Sequence, residues 1–171
     1  MERKGLVTFK GTPLTLTGNE VKVGDKAPAF TVLDKDLNAV SLSEFSGKIK
    51  FISVTPSLDT PVCHLQEATF NHKIQRLSDD VVALNMSMDL PFAIARLYAS
   101  EESARLRKLS DHRDASFGTG YDVLIKELRL LARSVFVIDK TDVVRYIQIV
   151  PETTDEPDYD KAMAEVEKLV S

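Results

Sequence analysis

The chain contains one cysteine, Cys63, and the residues in front of it suit a reactive sulfur. They read Pro56-Ser57-Leu58-Asp59-Thr60-Pro61-Val62-Cys63. The apolar run Ile49 to Val54 before them reads as a buried strand, and His64 to Leu77 after them as a helix. Thr60 is a good N-cap and Pro61 suits the first helical position. Cys63 is then the third helical residue, inside the first turn. Free backbone N–H groups and the positive end of the helix dipole lie there, and both favour a thiolate over a thiol. The thiolate is the nucleophile, so the chemistry on offer is attack by sulfur on an electrophile. A lone cysteine elsewhere would read as a small buried hydrophobe; the capped position argues for reactivity.

Composition narrows the setting. A chain of 171 residues with 43% hydrophobic and 28% charged residues reads as one globular domain spanning 1–171. The net charge of −4 argues against a nucleic-acid partner. A single cysteine excludes an intramolecular disulfide and a multi-cysteine metal site. His64, His72 and His112 are scattered and no carboxylates cluster, so no metal site is expected. Met1-Glu2-Arg3-Lys4-Gly5 lacks the apolar core of a secretion signal, and no run approaches the ~18 apolar residues of a membrane span. A cytoplasmic, reducing compartment is the expectation.

The elements that must position Cys63 follow from pattern. Leu6–Lys10 and Leu14–Thr17 predict an N-terminal hairpin about Gly11-Thr12-Pro13. Strands are predicted at 30–33, 39–42, 81–88, 134–139 and 143–149, with a short one at 107–109. Helices are predicted from Pro91 to about Ser103 and from Asp158 to the end, with a helical turn at 116–121 and a capped turn from Ser43. Leu124 to Leu131 fits alternation and helical periodicity equally. The acidic stretch Glu152 to Asp160 reads as a solvated connector. The order predicts an α/β fold with a mixed central sheet flanked by helices. A thioredoxin-like core fits it, as do other three-layer α/β arrangements.

At this point the residues match a known pattern. The chain resembles the bacterial thiol peroxidases, a branch of the peroxiredoxins. Pro56 to Cys63 matches the peroxiredoxin pattern Pro-x-x-x-Thr-x-x-Cys. Val7 to Leu14, Asp89-Leu90-Pro91-Phe92-Ala93, Leu109-Ser110-Asp111 and Val150 to Tyr159 resemble further family segments, so the likeness runs nearly end to end. It implies a thioredoxin-like fold extended by the hairpin at 1–17, a homodimer, no cofactor, and reduction of hydrogen peroxide and alkyl or lipid hydroperoxides. Cys63 would attack the peroxide and become a sulfenic acid. Thr60 would hold the peroxide, Pro56 would shield the sulfur, and Arg133 would stabilise the charge that develops. Read alone, Thr60 is an N-cap, Pro56 a strand end and Arg133 a surface cation.

The resemblance breaks at Tyr98. Where the related thiol peroxidases carry a second, resolving cysteine, this chain reads Arg96-Leu97-Tyr98-Ala99-Ser100-Glu101-Glu102. Peroxide reduction needs only Cys63. Recycling must then come from thioredoxin or another external thiol, and overoxidation to a sulfinic acid becomes easier. A second reading is a peroxide sensor or thiol-oxidation relay, distinguished from an enzyme by the absence of turnover with any thiol.

Overall fold

A computed structural model describes residues 1–99 and 105–170. The strands are β1 (Glu2–Phe9), β2 (Thr12–Thr17), β3 (Thr31–Leu33), β4 (Ala39–Ser41), β5 (Ile49–Val54), β6 (Val81–Ser87), β7 (Leu106–Ser110), β8 (Leu124–Ile125), β9 (Leu130–Leu131), β10 (Ser134–Ile138) and β11 (Val144–Ile149). The α-helices are α1 (Pro61–Ile74), α2 (Pro91–Leu97), α3 (Ser116–Gly120) and α4 (Tyr159–Val170). Seven strands form the main sheet in the order β11-β10-β5-β6-β7-β3-β4. The pairs β5–β6 and β6–β7 are parallel, and the remaining pairs are antiparallel. The predicted mixed sheet is therefore present.

β5 is buried at every position, its apolar residues and also Lys50 and Ser53, as befits a central strand. Alternation divides its side chains between two cores. Ile49 and Phe51 join Val135 and Val137 beneath Phe70, Ile74, Ala162 and Val166 of α1 and α4. Ile52 and Val54 join Leu84, Met86 and Phe136 on the opposite face. That face differs from the expected helical cover. A second sheet, in the order β1-β2-β8-β9, packs there with α3. The ambiguous segment at 124–131 supplies β8 and β9, because Leu124 and Ile125 find strand partners in Thr17 and Leu16 of the hairpin. Long-range pairing decides what local periodicity left open.

Two further expectations change. The helix predicted to run to Ser103 ends at Leu97, with Tyr98 as its C-cap outside helical geometry; residues 100–104 lie outside the described residues. At the helix end the Tyr98 ring packs against His64 and Lys108. The acidic stretch is also more than a connector. Glu152 accepts hydrogen bonds from Thr8 Oγ1 at 2.6 Å, Lys10 N at 2.9 Å and Gly11 N at 3.1 Å. It thereby clamps the hairpin tip to the end of β11. Among the described residues, no helix is long and apolar enough to cross a membrane.

The Thr8 hydroxyl and the Lys10 and Gly11 amides hold the Glu152 carboxyl down to about 2, from its usual 4.5. A depressed folded-state value means that the clamp contributes fully above 4.5 and is lost as pH falls toward 2. Glu152→Ala should speed amide exchange at Lys10 and Gly11 while the amides of β5 and β6 keep their protection. Unchanged exchange at the hairpin tip would show that the carboxylate does not hold it.

Candidate active site

The parallel strands β5 and β6 end side by side, and the loop 55–60 leaves β5 at that edge. Pro56 is buried directly after the strand. Asp89, just beyond β6, fastens the loop. Its Oδ1 accepts from Ser57 Oγ at 2.7 Å and its Oδ2 from Leu58 N at 2.7 Å. Thr60 adopts the extended conformation of an N-cap, with φ −133° and ψ 151°. Its hydroxyl donates to the Ser57 carbonyl at 3.2 Å and accepts from Cys63 N at 3.4 Å. Pro61 opens α1, and Cys63 lies in the first turn with 1% of its surface exposed.

Arg133 stands between β9 and β10 and is 2% exposed. Its Nη2 donates to Cys63 Sγ at 3.2 Å. Its Nε donates to the Thr153 carbonyl at 3.1 Å, and its Nη1 donates to Gln66 Oε1. Gln66, fully buried on α1, is held in turn. Its Nε2 donates to Ser53 Oγ at 2.8 Å and to the Val54 carbonyl at 3.3 Å. The guanidinium is thus aimed at the sulfur by groups from β5, α1 and the segment after β11. In so dry a site, a fixed cation interacts strongly with any negative charge that forms on or next to the sulfur.

The structure therefore joins Thr60, Cys63 and Arg133 by hydrogen bonds and buries Pro56 at the start of the same loop. Tyr98 reaches α1 at the next residue. Its ring stacks on His64, with centroids 6.3 Å apart and planes at 28°. His64 itself is exposed. Sequence reasoning passed over two residues. Gln66 lies three positions from Cys63, hence on the same helical face, and a polar residue on a face otherwise destined for the core was the available signal. Asp89 read as the opening of α2; its service to the loop 32 residues earlier in the chain has no local signature.

Comparison with known proteins places this arrangement. The Redoxin family model matches residues 22–163. A thiol peroxidase of Halalkalibacterium halodurans is 55% identical over 157 residues, 92% of this chain and 94% of that one. A peroxiredoxin-like protein from Aquifex aeolicus superposes with a TM-score of 0.90 at 40% identity, covering 98% of both chains. A thiol peroxidase from Chromobacterium violaceum shares the fold, with a TM-score of 0.83 at 22% identity over 95% of each chain.

Replacing Arg133 by Met removes the donor that faces the sulfur. Alkylation of Cys63 by iodoacetamide should slow by roughly 10²-fold, the scale seen when one preorganised donor is lost. Arg133→Lys should fall between, because one ammonium cannot reproduce the guanidinium fork. Equal alkylation rates in all three proteins would show that the contact does not govern the reactivity of the sulfur.

Proposed function

The chain belongs to the Redoxin family, and within it to the thiol peroxidases; on that premise we propose that it reduces hydroperoxides at Cys63 and is recycled by an external thiol. The observation that carries the reading is the buried guanidinium of Arg133 donating to Cys63 Sγ at 3.2 Å at the start of α1. The fold that presents this pair is thioredoxin-like.

The geometry supports the first half-reaction. The sulfur, as a thiolate, attacks the terminal peroxide oxygen. The S–O bond forms as the O–O bond breaks, sulfur is oxidised to a sulfenic acid, and the peroxide leaves as an alcohol or water after taking a proton. Arg133 faces the charge that moves from sulfur to the departing oxygen. The Thr60 hydroxyl already donates to Ser57, so an incoming peroxide O–H meets it as an acceptor. Pro56, buried at the start of the same loop, is the residue proposed to shield the sulfur from water.

The second half-reaction cannot be internal, because Cys63 is the only cysteine. One external thiol attacks the sulfenic sulfur, releasing water and forming a mixed disulfide. A second thiol then frees Cys63 and leaves as the oxidised disulfide. Thioredoxin or a small thiol of the cytoplasm fits this role, with hydrogen peroxide and alkyl or lipid hydroperoxides as substrates and a homodimer as the working form.

Purified protein given cumene hydroperoxide and excess dithiothreitol or reduced thioredoxin should turn over steadily, oxidising two thiol groups per peroxide consumed. Cys63→Ser should abolish this. A single equivalent of peroxide consumed, with no turnover under any thiol, would replace the enzyme by a sensor.

A further inference from the structure

Helix α1 rests on an unusual base. Its second turn buries Gln66 and Glu67, which are 0% and 2% exposed. The strand registers set Ser53 of β5 beside Asn85 of β6, and Asn85 beside Lys108 of β7. These three side chains form one polar row across the sheet under α1, at 0%, 0% and 9% exposure. The helix grips this row at two points. Gln66 donates to Ser53 Oγ and accepts from Arg133. Glu67, one turn after Cys63, pairs with Lys108 Nζ at 3.0 Å. The Lys108 ammonium also lies 4.0 Å from the centroid of the Tyr98 ring, which stacks on His64 in the first turn of α1.

The two grips serve different ends. The Gln66 side aims Arg133 at the sulfur. Among the described residues, Glu67 forms its ion pair with Lys108, while Arg133 makes the side-chain hydrogen bond to Cys63. The Glu67 side ties the helix to β7 and to the end of α2. Cys63 is 1% exposed, so its sulfur is covered in the closed helix. A thiol must also approach in line with the S–O bond it breaks. Resting on the proposed peroxidase reading, we infer that Glu67, Lys108 and Tyr98 form a latch that keeps the Cys63 helix closed and so limits recycling by external thiols, without contributing to peroxide attack. In that step the thiol sulfur forms the S–S bond, the S–O bond breaks and the oxygen leaves as water. Reaching this geometry requires local opening of the start of α1, and the latch is what opening must break.

The double variant Glu67→Gln/Lys108→Met removes both charges at similar volume, so no buried ion is left without its partner. Tyr98→Ala removes the ring and keeps both charges, giving a second variant whose folding is independent of the ion pair. In both, oxidation of Cys63 by hydrogen peroxide should match the unmodified protein. Reduction of the sulfenic acid by dithiothreitol should quicken about tenfold, with a parallel rise in amide exchange across Val62 to Phe70. Tyr98→Phe keeps the ring and should behave as the unmodified protein. Unchanged reduction and unchanged exchange in both variants would overturn the latch. So would a loss of peroxide oxidation equal to any change in reduction, because the grip would then act on the reactivity of the sulfur. If the unmodified protein itself resists peroxide, the peroxidase reading fails, while amide exchange and labelling of reduced Cys63 by a bulky maleimide still decide whether the latch exists.

Discussion

A guanidinium taken out of water must find acceptors for its N–H groups, and Arg133 meets this demand with the Cys63 sulfur, the Gln66 amide and the Thr153 carbonyl. The acceptors come from two distant parts of the chain. The sulfur and the amide belong to α1, which follows β5. Arg133 itself directly precedes β10, the antiparallel neighbour of β5, in a register that sets Ser134 against Val54. A slip of one residue between these strands would turn the neighbouring side chains to the opposite face. Leaving any one of the buried polar groups without its partner costs about 1–3 kcal/mol. Sheet register, helix start and reactive sulfur are thus tied to one buried cation.

Much of this was legible along the chain. The continuous apolar run at 49–54, the Thr-Pro helix start and the placement of Cys63 in the first turn are local signals, and local physics places them correctly. Arg133 was a different case. An arginine before an apolar strand reads as a surface cation on its own residues, and only a likeness to known proteins singled it out. Its burial depends on Gln66 and Thr153, which lie 67 and 20 residues away. The same non-locality explains the other departures. Leu124 to Leu131 pairs as strands because β2 lies beside it. Glu152 becomes a clamp because the hairpin tip returns to meet it. The Tyr98 ring at the end of α2 meets His64 and Lys108, residues of α1 and β7.

The polar base of α1 is the least expected part. Gln66 and Glu67 are polar residues on the helical face of Phe70 and Ile74, and both are buried. The sheet beneath supplies Ser53 and Lys108 at matching positions, so the Gln66 amide meets a hydroxyl and the Glu67 carboxylate meets an ammonium. A buried ion pair is a weak source of stability but a strong restraint on geometry, since removing one partner alone is costly. In a protein with a single cysteine, that restraint bears on the same helix from which the oxidised sulfur must be rescued.

The buried Arg133–Cys63 contact, at a capped helix start, makes the sulfur fast toward peroxide. The chain has no tryptophan to report the reaction optically, so the direct measurement is quenched-flow mass spectrometry of Cys63 mixed with one equivalent of hydrogen peroxide at neutral pH. Sulfenic acid should form at least ~10²-fold faster than on a free small thiol, the scale expected of one preorganised charged donor. Formation at the rate of free cysteine would contradict the account.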